Sequence, residues 1–341
     1  MNSSRKIVIL SGNAHPELAK NIATWLNLSV GNCTVSKFAN SETKVLINDS
    51  VRDVDLYIVQ PTCNPSVNDH LMELLVMVDG AVRASAYRIT AVVPFFGYAR
   101  QSKKDKTRSP ITCKLVANMM ECAGINRVIT IDLHSSQIQG FFNMPVENVY
   151  SEPYFLKYIK EHIEEKGKSD SVIIVAPGVG GVKRAKYISD KLGVKLAIVH
   201  RANKDLLLSQ SFGNLLDRTD IETFIVGDVS AKIAVIIDDI ADTCKTLKLA
   251  SKALISKGAL KVYAMVTHGI FSNNAIDIIN ESPITELVIT DSIPNQSNQD
   301  KCPKLKVISM APVLAETIRR AHYGESLISI ENYNKNDLHD L

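Results

Sequence analysis

Short apolar, β-branched runs alternate along the chain with stretches whose apolar positions recur every three to four residues. The runs predict strands over residues 6–11, 55–60, 88–94, 127–132, 171–176, 195–199, 232–237 and 261–267, with weaker candidates at 286–290 and 304–308. Three segments predict helices. Residues 16–26 follow Asn13, Ala14 and His15, and residues 67–84 carry Leu71, Leu74, Leu75 and Val78 at i, i+3, i+4, i+7 spacing. Residues 243–257 put Leu247, Ala250 and Leu254 on one face and stop before Gly258.

The strand candidates read as continuous Val and Ile rather than as alternating positions, which suits a parallel sheet covered on both faces. A β-α-β-α rhythm of this kind implies an open α/β sheet. It restarts near residue 170 after the polar stretch 161–170, so the chain divides into two α/β units joined around residues 145–165. One segment breaks the rhythm: residues 201–223, rich in Asn, Ser, Asp and Leu, separate the strand ending near His200 from the next. Connections longer than about 12–15 residues are uncommon and tend to be active-site loops or disordered segments.

Composition narrows the class. At 341 residues the chain is long enough for about two domains, each with its own core. Its 39 Lys and Arg against 36 Asp and Glu leave a net charge of +3, too little to argue for nucleic acid or an anionic membrane. A 45% hydrophobic content with 22% charged residues excludes a disordered chain. No apolar run approaches the ~20 residues of a membrane helix. The N-terminus leads straight into Ile7, Val8, Ile9 and Leu10, too short a run for a signal-peptide core. Six cysteines without a Cys-x-x-Cys pair fit reduced, mostly buried thiols rather than a disulfide framework or a zinc site. The expectation is a globular cytoplasmic protein.

Ligands of open α/β sheets bind beyond the carboxyl ends of the strands, so the residues that follow each strand carry the chemistry. After Ile236 and Ile237 come Asp238, Asp239, Ile240, Ala241, Asp242, Thr243, Cys244, Lys245 and Thr246, which open a helix. Two adjacent carboxylates at a strand end can grip a pair of sugar hydroxyls or bound Mg²⁺, and the Asp/Thr turn offers backbone N–H groups and hydroxyls to a phosphate. An Asp-rich helix cap explains Asp242 and Thr243 but not the two acids before them. The pattern resembles the 5-phosphoribosyl-diphosphate-binding signature of the type I phosphoribosyltransferase fold. The glycine turn Ala176-Pro177-Gly178-Val179-Gly180-Gly181-Val182-Lys183-Arg184 is neither a Walker A loop nor a dinucleotide fingerprint and is weak by itself. Residues 100–108 hold five basic residues and one acid, which alone reads as a solvated loop. They follow Pro94-Phe95-Phe96-Gly97-Tyr98-Ala99, so an aromatic surface adjoins a cationic arm, a combination that suits a nucleoside triphosphate. His134, after Asp132 and Leu133, is either a hydrogen-bonded structural residue or a metal or phosphate ligand.

Taken together, these segments resemble ribose-phosphate diphosphokinases (phosphoribosyl pyrophosphate synthetases) over nearly the whole chain, from Ser11-Gly12-Asn13 to His322-Tyr323-Gly324-Glu325-Ser326. The most specific stretches are residues 38–43, 68–75, 98–108, 132–142 and 238–246. The resemblance implies two open, mainly parallel-sheet domains of the type I phosphoribosyltransferase fold, pseudo-repeated. Residues 1–150 would carry the ATP-side and regulatory residues, with a helix near 311–323 returning to them. Residues 151–305 would carry the ribose 5-phosphate site and the loop 201–223. It further implies that the anomeric hydroxyl of ribose 5-phosphate attacks the β-phosphorus of Mg-ATP, giving AMP and 5-phosphoribosyl 1-diphosphate, a transfer that rests on positioning and charge neutralisation.

Carried over, Phe38, Asn40 and Glu42 hold adenine from a neighbouring subunit, and Arg100, Gln101 and Asp105 meet ATP, with His134 on its phosphates and Mg²⁺. Asp238 and Asp239 take the ribose hydroxyls, and Asp242, Thr243 and Thr246 the 5-phosphate. Ser50, Arg52, Ser135, Gln139, Asn148 and Ser326, with Glu147 in place of the usual Asp, match the family's allosteric site for phosphate or ADP. The family assembles as bent dimers that build hexamers.

The departures cluster in the chemistry. The family's Ser-Pro-Asp-x-Gly-Gly loop supplies a Mg²⁺ ligand where this chain has Gly178, and Mg²⁺ wants oxygen ligands. The catalytic His-Lys-x-Arg reads His200-Arg201-Ala202-Asn203 here, leaving Arg201 or Lys204 as candidate substitutes for an arginine that can contribute roughly 10³–10⁵ in rate. The loop after it is longer than is usual, and Lys245 replaces a glycine of the phosphate loop. A chain that keeps adenine, interface and effector residues while losing a metal ligand and an arginine suggests a subunit that assembles with active paralogues: a diphosphokinase within a hetero-oligomer, or a deficient regulatory or scaffold partner.

Overall fold

The computed structural model describes residues 5–104, 106–163, 171–201 and 223–327. It divides into two compact units. The first comprises Met1–Pro153, Thr290–Pro294 and Ser309–Leu341, and the second Tyr154–Ile289 and Asn295–Ile308. The short piece Thr290–Pro294, which falls in 151–305, thus belongs with the first unit. There the carboxylate of Asp291 accepts the Met310 N–H at 2.7 Å and its backbone carbonyl lies 2.9 Å from His15 Nε2.

In the first unit, strands β1 (Ile7–Ser11), β4 (Asp55–Val59), β5 (Arg88–Val93), β6 (Arg127–Ile131) and β7 (Val146–Val149) form a sheet in that order, every neighbouring pair parallel. Between β1 and β4 the chain makes a separate antiparallel hairpin, β2 (Cys33–Lys37) and β3 (Thr43–Ile47). Strand β4 is buried along its length, as the apolar residues after Asp55 require. The helix Val67–Arg83 turns Leu71, Leu74, Met77, Val78 and Ala81 into the core, while Leu75 is only partly covered.

The C-terminal helix Ala311–Tyr323 is tied to the same sheet through a buried carboxylate. Asp55 accepts from Arg88 Nε at 2.8 Å and from a second guanidinium N–H, and His322 Nδ1 lies 2.7 Å from its other oxygen. The Tyr57 hydroxyl reaches both Asp55 and the Ile318 carbonyl at 3.4 Å.

In the second unit the sheet order is β10 (Thr223–Val226), β9 (Lys195–Arg201), β8 (Val172–Ala176), β11 (Ile233–Ala241), β12 (Lys261–Gly269), β13 (Ile284–Thr290) and β14 (Leu305–Ile308). β9, β8, β11, β12 and β13 run parallel to one another, and β10 is antiparallel to β9. Alternate residues feed two cores. Ile173, Val175, Ala234 and Ile236 pack with Leu247 and Leu254 of the helix Lys245–Ser256. Val172, Ile174, Val235 and Ile237 pack with Phe155 and with Ile188 of the helix Val182–Leu192. Both faces being covered is why these strands carry no polar alternation.

The segment 201–223 needs one correction. Its first and last residues are strand residues paired with each other, Thr223 opposite Arg201, so an edge strand follows the loop at once. Residues 202–222 lie outside the described residues.

The Asp55 cluster makes a test of the fold. Burial alone would raise the Asp55 pKa, but hydrogen bonds and charge from Arg88 and His322 outweigh it and hold the carboxyl below its ordinary value. Its contribution is therefore complete above the unfolded value near ~4 and is lost as pH falls through the depressed folded value. Asp55→Ala is expected to cost about 3 kcal/mol in urea unfolding at pH 7. The gap to the native chain is expected to shrink in unfolding curves taken below about pH 4.

Candidate active site

In the second unit the ladder between β11 and β8 ends at Ile236 opposite Val175, whereas the ladder to β12 runs on to Ala241 opposite Gly269. Past Ile236 one flank of β11 is free of β8, and Asp238 and Asp239 sit on that overhang. They lie inside the strand rather than after it, because pairing with β12 continues beyond them. The Asp239 N–H donates to Asp238 Oδ1 at 3.0 Å. Asp239 is buried, with Arg184 Nη1 3.8 Å from its Oδ1. Arg184 comes from the first turn of the helix Val182–Leu192, which follows the glycine turn. The glycine turn alone does not single out Arg184; the signal for it in the sequence is the basic pair Lys183-Arg184 directly after a strand-glycine-helix junction.

After the overhang, the Ala241 carbonyl accepts the N–H groups of Ile270 and Phe271 at 2.9 and 3.0 Å, and that of Asp242 accepts the Ser272 N–H at 3.0 Å. Cys244 adopts the left-handed conformation, φ 58°, and the helix begins at Lys245, two residues later than its periodicity suggests. Asp242 and Thr243 are thereby left in a turn ahead of the helix, with Thr246 in its first turn. N–H groups at such a turn suit an anionic oxygen. Thr243 and Thr246 are half-buried and Lys245 is exposed. Burial, and then the neighbouring Asp239 carboxylate, push the Asp238 carboxyl well above the usual carboxylate range.

Gly178 follows β8 with extended backbone, φ 179° and ψ 174°, and a Cβ there would meet nothing within 4 Å. Glycine is not required by the backbone at this position, so the missing carboxylate is a chemical difference rather than a steric one. Among the described residues no three His, Cys, Asp or Glu side chains converge to hold a metal ion. The described residues do not by themselves make a protein cage for Mg²⁺, an ion that ordinarily keeps several waters and takes only one or two carboxylates.

In the first unit the expected aromatic surface is not there. Phe95 and Phe96 are buried, and Phe96 packs edge-on to Phe142 with ring centroids 5.6 Å apart. Tyr98 alone of the three is part-exposed, at φ 61°. Gly97 lets this turn close: its N–H donates to Thr62 Oγ1 at 2.7 Å, and a Cβ would fall 2.6 Å from the Thr62 carbonyl. Arg100 and Gln101 are exposed, with the Gln101 N–H on the Tyr98 carbonyl at 3.0 Å and its side chain on the Thr112 hydroxyl. Asp105 lies outside the described residues.

Phe38 is an exposed aromatic of this unit, at 52%. It stands at the tip of the β2–β3 hairpin with Asn40 and Glu42. The Phe38 N–H donates to the Glu42 carbonyl at 2.9 Å, and Asn40 Oδ1 accepts the Glu42 N–H at 3.3 Å. Lys44 Nζ lies 5.4 Å from the ring centroid.

His134 is exposed in the loop after β6. That loop is pinned by Asn148, whose Oδ1 accepts the Leu133 N–H at 3.0 Å, and by Asp132, whose carboxylate takes the Ser151 hydroxyl. Of the allosteric candidates, Ser135 hydrogen-bonds Gln137, and Gln139 Nε2 donates to the Ser136 carbonyl at 3.2 Å. Glu147 sits 3.8 Å from Arg127. Ser50, Arg52 and Ser326 are exposed, and the Ser326 carbonyl accepts from Arg320 at 2.8 Å. Arg201 closes β9 through its backbone, and Lys204 and Asn203 lie outside the described residues. The six cysteines are free thiols, and among the described residues no helix is long and apolar enough to cross a membrane.

A parallel sheet whose central strand carries paired aspartates near its end and then turns into a helix has the fold class of the type I phosphoribosyltransferases. Comparison with known proteins makes this specific. Residues 7–124 match the family model for the N-terminal domain of ribose phosphate pyrophosphokinase, and residues 216–330 match that for the phosphoribosyl synthetase-associated domain. The chain is 74% identical over 328 residues to ribose-phosphate pyrophosphokinase B of Dictyostelium discoideum, covering 96% of this chain and 99% of that one. It is 57% identical to pyrophosphokinase A of the same organism over 95% of this chain and 98% of that one. The crystal structure of phosphoribosylpyrophosphate synthetase from Mycobacterium smegmatis superposes with a TM-score of 0.84 at 36% identity, over 94% of this chain and 100% of that one. The chain belongs to the ribose-phosphate pyrophosphokinase family.

The raised Asp238 pKa gives a signed expectation. Below the unfolded value near ~4 the group is protonated in both states and costs nothing, and as pH rises through the folded value the native chain must ionise a buried carboxyl. Asp238→Asn is expected to raise the melting temperature at pH 8, with the gain closing as pH is lowered toward ~4 in a thermal-unfolding series. A gain independent of pH would contradict the assignment.

Proposed function

We propose that the chain is a subunit of an assembly that transfers the diphosphate of Mg-ATP to C1 of ribose 5-phosphate, forming 5-phosphoribosyl 1-diphosphate and AMP for nucleotide biosynthesis in the cytoplasm. The anomeric hydroxyl oxygen bonds to the β-phosphorus, the bridging bond to the α-phosphate breaks, AMP carries away the electron pair, and the hydroxyl proton is released. The overhang of β11 is the observation that supports this most. Asp238 and Asp239, on the part of β11 that runs past the end of β8, are assigned to the ribose hydroxyls, and Asp242, Thr243 and Thr246 to the 5-phosphate. Arg100, Gln101, Asp105 and His134 are assigned to ATP, and Phe38, Asn40 and Glu42 to the adenine bound by a neighbouring subunit. Arg201 and Lys204 are the candidate cations for the transferring phosphoryl group, where charge neutralisation dominates the barrier. Ser50, Arg52, Ser135, Gln139, Glu147, Asn148 and Ser326 are assigned to phosphate or ADP acting as effectors.

A second reading, a regulatory subunit that modulates active paralogues, is favoured by Gly178. The position offers room and permissive backbone for a carboxylate and has none. Two related pyrophosphokinases, A and B, within one organism support assembly among paralogous subunits.

Release of AMP from Mg-ATP and ribose 5-phosphate, followed for the chain alone and co-purified with an active family member, separates the readings. Turnover alone supports the diphosphokinase. Silence alone with altered turnover or phosphate sensitivity in the mixture supports the regulator. If the lost ligands limit turnover, Gly178→Asp with Asn203→Arg is expected to raise it by at least about tenfold. No rise would contradict that explanation.

A further inference from the structure

The β2–β3 hairpin is two strands of five residues, too small to hold a position without support. Its apolar face, Cys33, Val35, Val45 and Ile47, packs against the core of the first unit. Apolar contact is non-directional and fixes neither register nor the direction of the tip. Direction comes from two acidic side chains on one face of the helix Val67–Arg83, Asp69 and Glu73, one turn apart. Lys37 Nζ lies 2.5 Å from Asp69 Oδ2, and Lys37 directly precedes Phe38. Asn13 Nδ2 donates to Glu73 Oε1 at 2.9 Å and to the Val35 carbonyl at 3.2 Å, so Asn13 bridges helix and strand. The spacings match: four helical residues advance ~6 Å, and the two strand residues from 35 to 37 advance ~6.6 Å.

Glu73 is otherwise a puzzling choice. It is 4% exposed, and its described partners are amides: the Asn13 side chain and N–H, and Gln60 Nε2 at 2.7 Å. Burying a carboxylate is costly unless hydrogen bonds compensate, and leucine at this core position would cost less. Gln60 is itself fully buried, accepting the Ala14 N–H at 3.0 Å and donating to the His70 carbonyl at 3.2 Å. A Cβ on Gly12 would fall 2.2 Å from its Oε1, so the strand β1 turn is shaped around this amide. The network connects the ends of β1 and β4 and the helix to one carbonyl of the hairpin.

We propose that Glu73 and Asn13, seconded by Asp69 and Lys37, are positioning residues for adenine. They hold the hairpin that carries Phe38, Asn40 and Glu42 at the angle needed to meet a nucleotide bound by a neighbouring subunit. This rests on the assignment of that hairpin to adenine made above.

The test titrates Mg-ATP and, separately, ribose 5-phosphate into the full-length chain co-assembled with an active family member, by calorimetry. The variants are Phe38→Ala, Asn13→Ala and Glu73→Gln. Phe38→Ala is expected to weaken Mg-ATP binding strongly. Asn13→Ala and Glu73→Gln are each expected to weaken it about fivefold while leaving ribose 5-phosphate affinity within about twofold, in proportion to a lost hydrogen bond. Asn13 is exposed, so its truncation leaves the core intact and keeps the test interpretable if Glu73→Gln folds poorly. A loss with Phe38→Ala but none with the other two overturns the positioning role and leaves the adenine assignment standing. No loss with Phe38→Ala overturns both. Equal weakening of both ligands with a lowered melting temperature marks a general stability effect and also overturns the proposal.

Discussion

Strand β11 outruns its neighbour β8, and the placement of Asp238 and Asp239 depends on that mismatch in length. A parallel strand hydrogen-bonded on both sides has no free polar groups to offer, whereas one that keeps β12 and loses β8 can present side chains on a rigid support. Ile237 to Ala241 are in this situation. Asp238 and Asp239 therefore lie on a stretch supported by sheet pairing to β12 on one flank and not paired with β8 on the other. The same geometry explains the perturbed titration of Asp238, since a carboxyl fixed beside another carboxylate at the edge of a core cannot relax into solvent.

The first unit solves a different problem with similar means. Phe38 is carried on a hairpin outside the sheet, and polar groups just past the ends of β1 and β4 and on the helix Val67–Arg83 determine where that hairpin points. At the opposite end of β4, Asp55 uses Arg88 and His322 to hold the C-terminal helix. In both places a buried carboxylate is tolerated because its hydrogen bonds are complete, and each links chain segments far apart in sequence.

Much of this was legible in the sequence. Continuous Val and Ile runs disclose the strands that are buried on both faces, and the residues from Asp238 to Thr246 disclose a turn from strand into helix. The hairpin was missed because Cys-Thr-Val-Ser-Lys and Thr-Lys-Val-Leu-Ile are short and covered on one face only. The helix Val182–Leu192 was missed because only Ala185, Ile188 and Ser189 are buried, too narrow a stripe to stand out against its charged residues. Phe95 and Phe96 misled for the opposite reason. Aromatic residues beside a basic run look like a binding surface, but composition cannot tell which side of a strand end faces the core. Arg184 and Glu73 gain their meaning only from partners 55 and 60 residues away, which no local pattern encodes.

The central claim is that the overhang of β11 holds a sugar phosphate with this chain's own residues, without a metal ligand at position 178. Calorimetric titration of the full chain with ribose 5-phosphate in the presence of a chelator tests it most directly. The account predicts saturable binding that weakens by about tenfold or more on Thr243→Ala or Asp239→Asn, as the loss of hydrogen bonds to a charged or buried group requires. No binding without Mg²⁺, or binding indifferent to both substitutions, would contradict it.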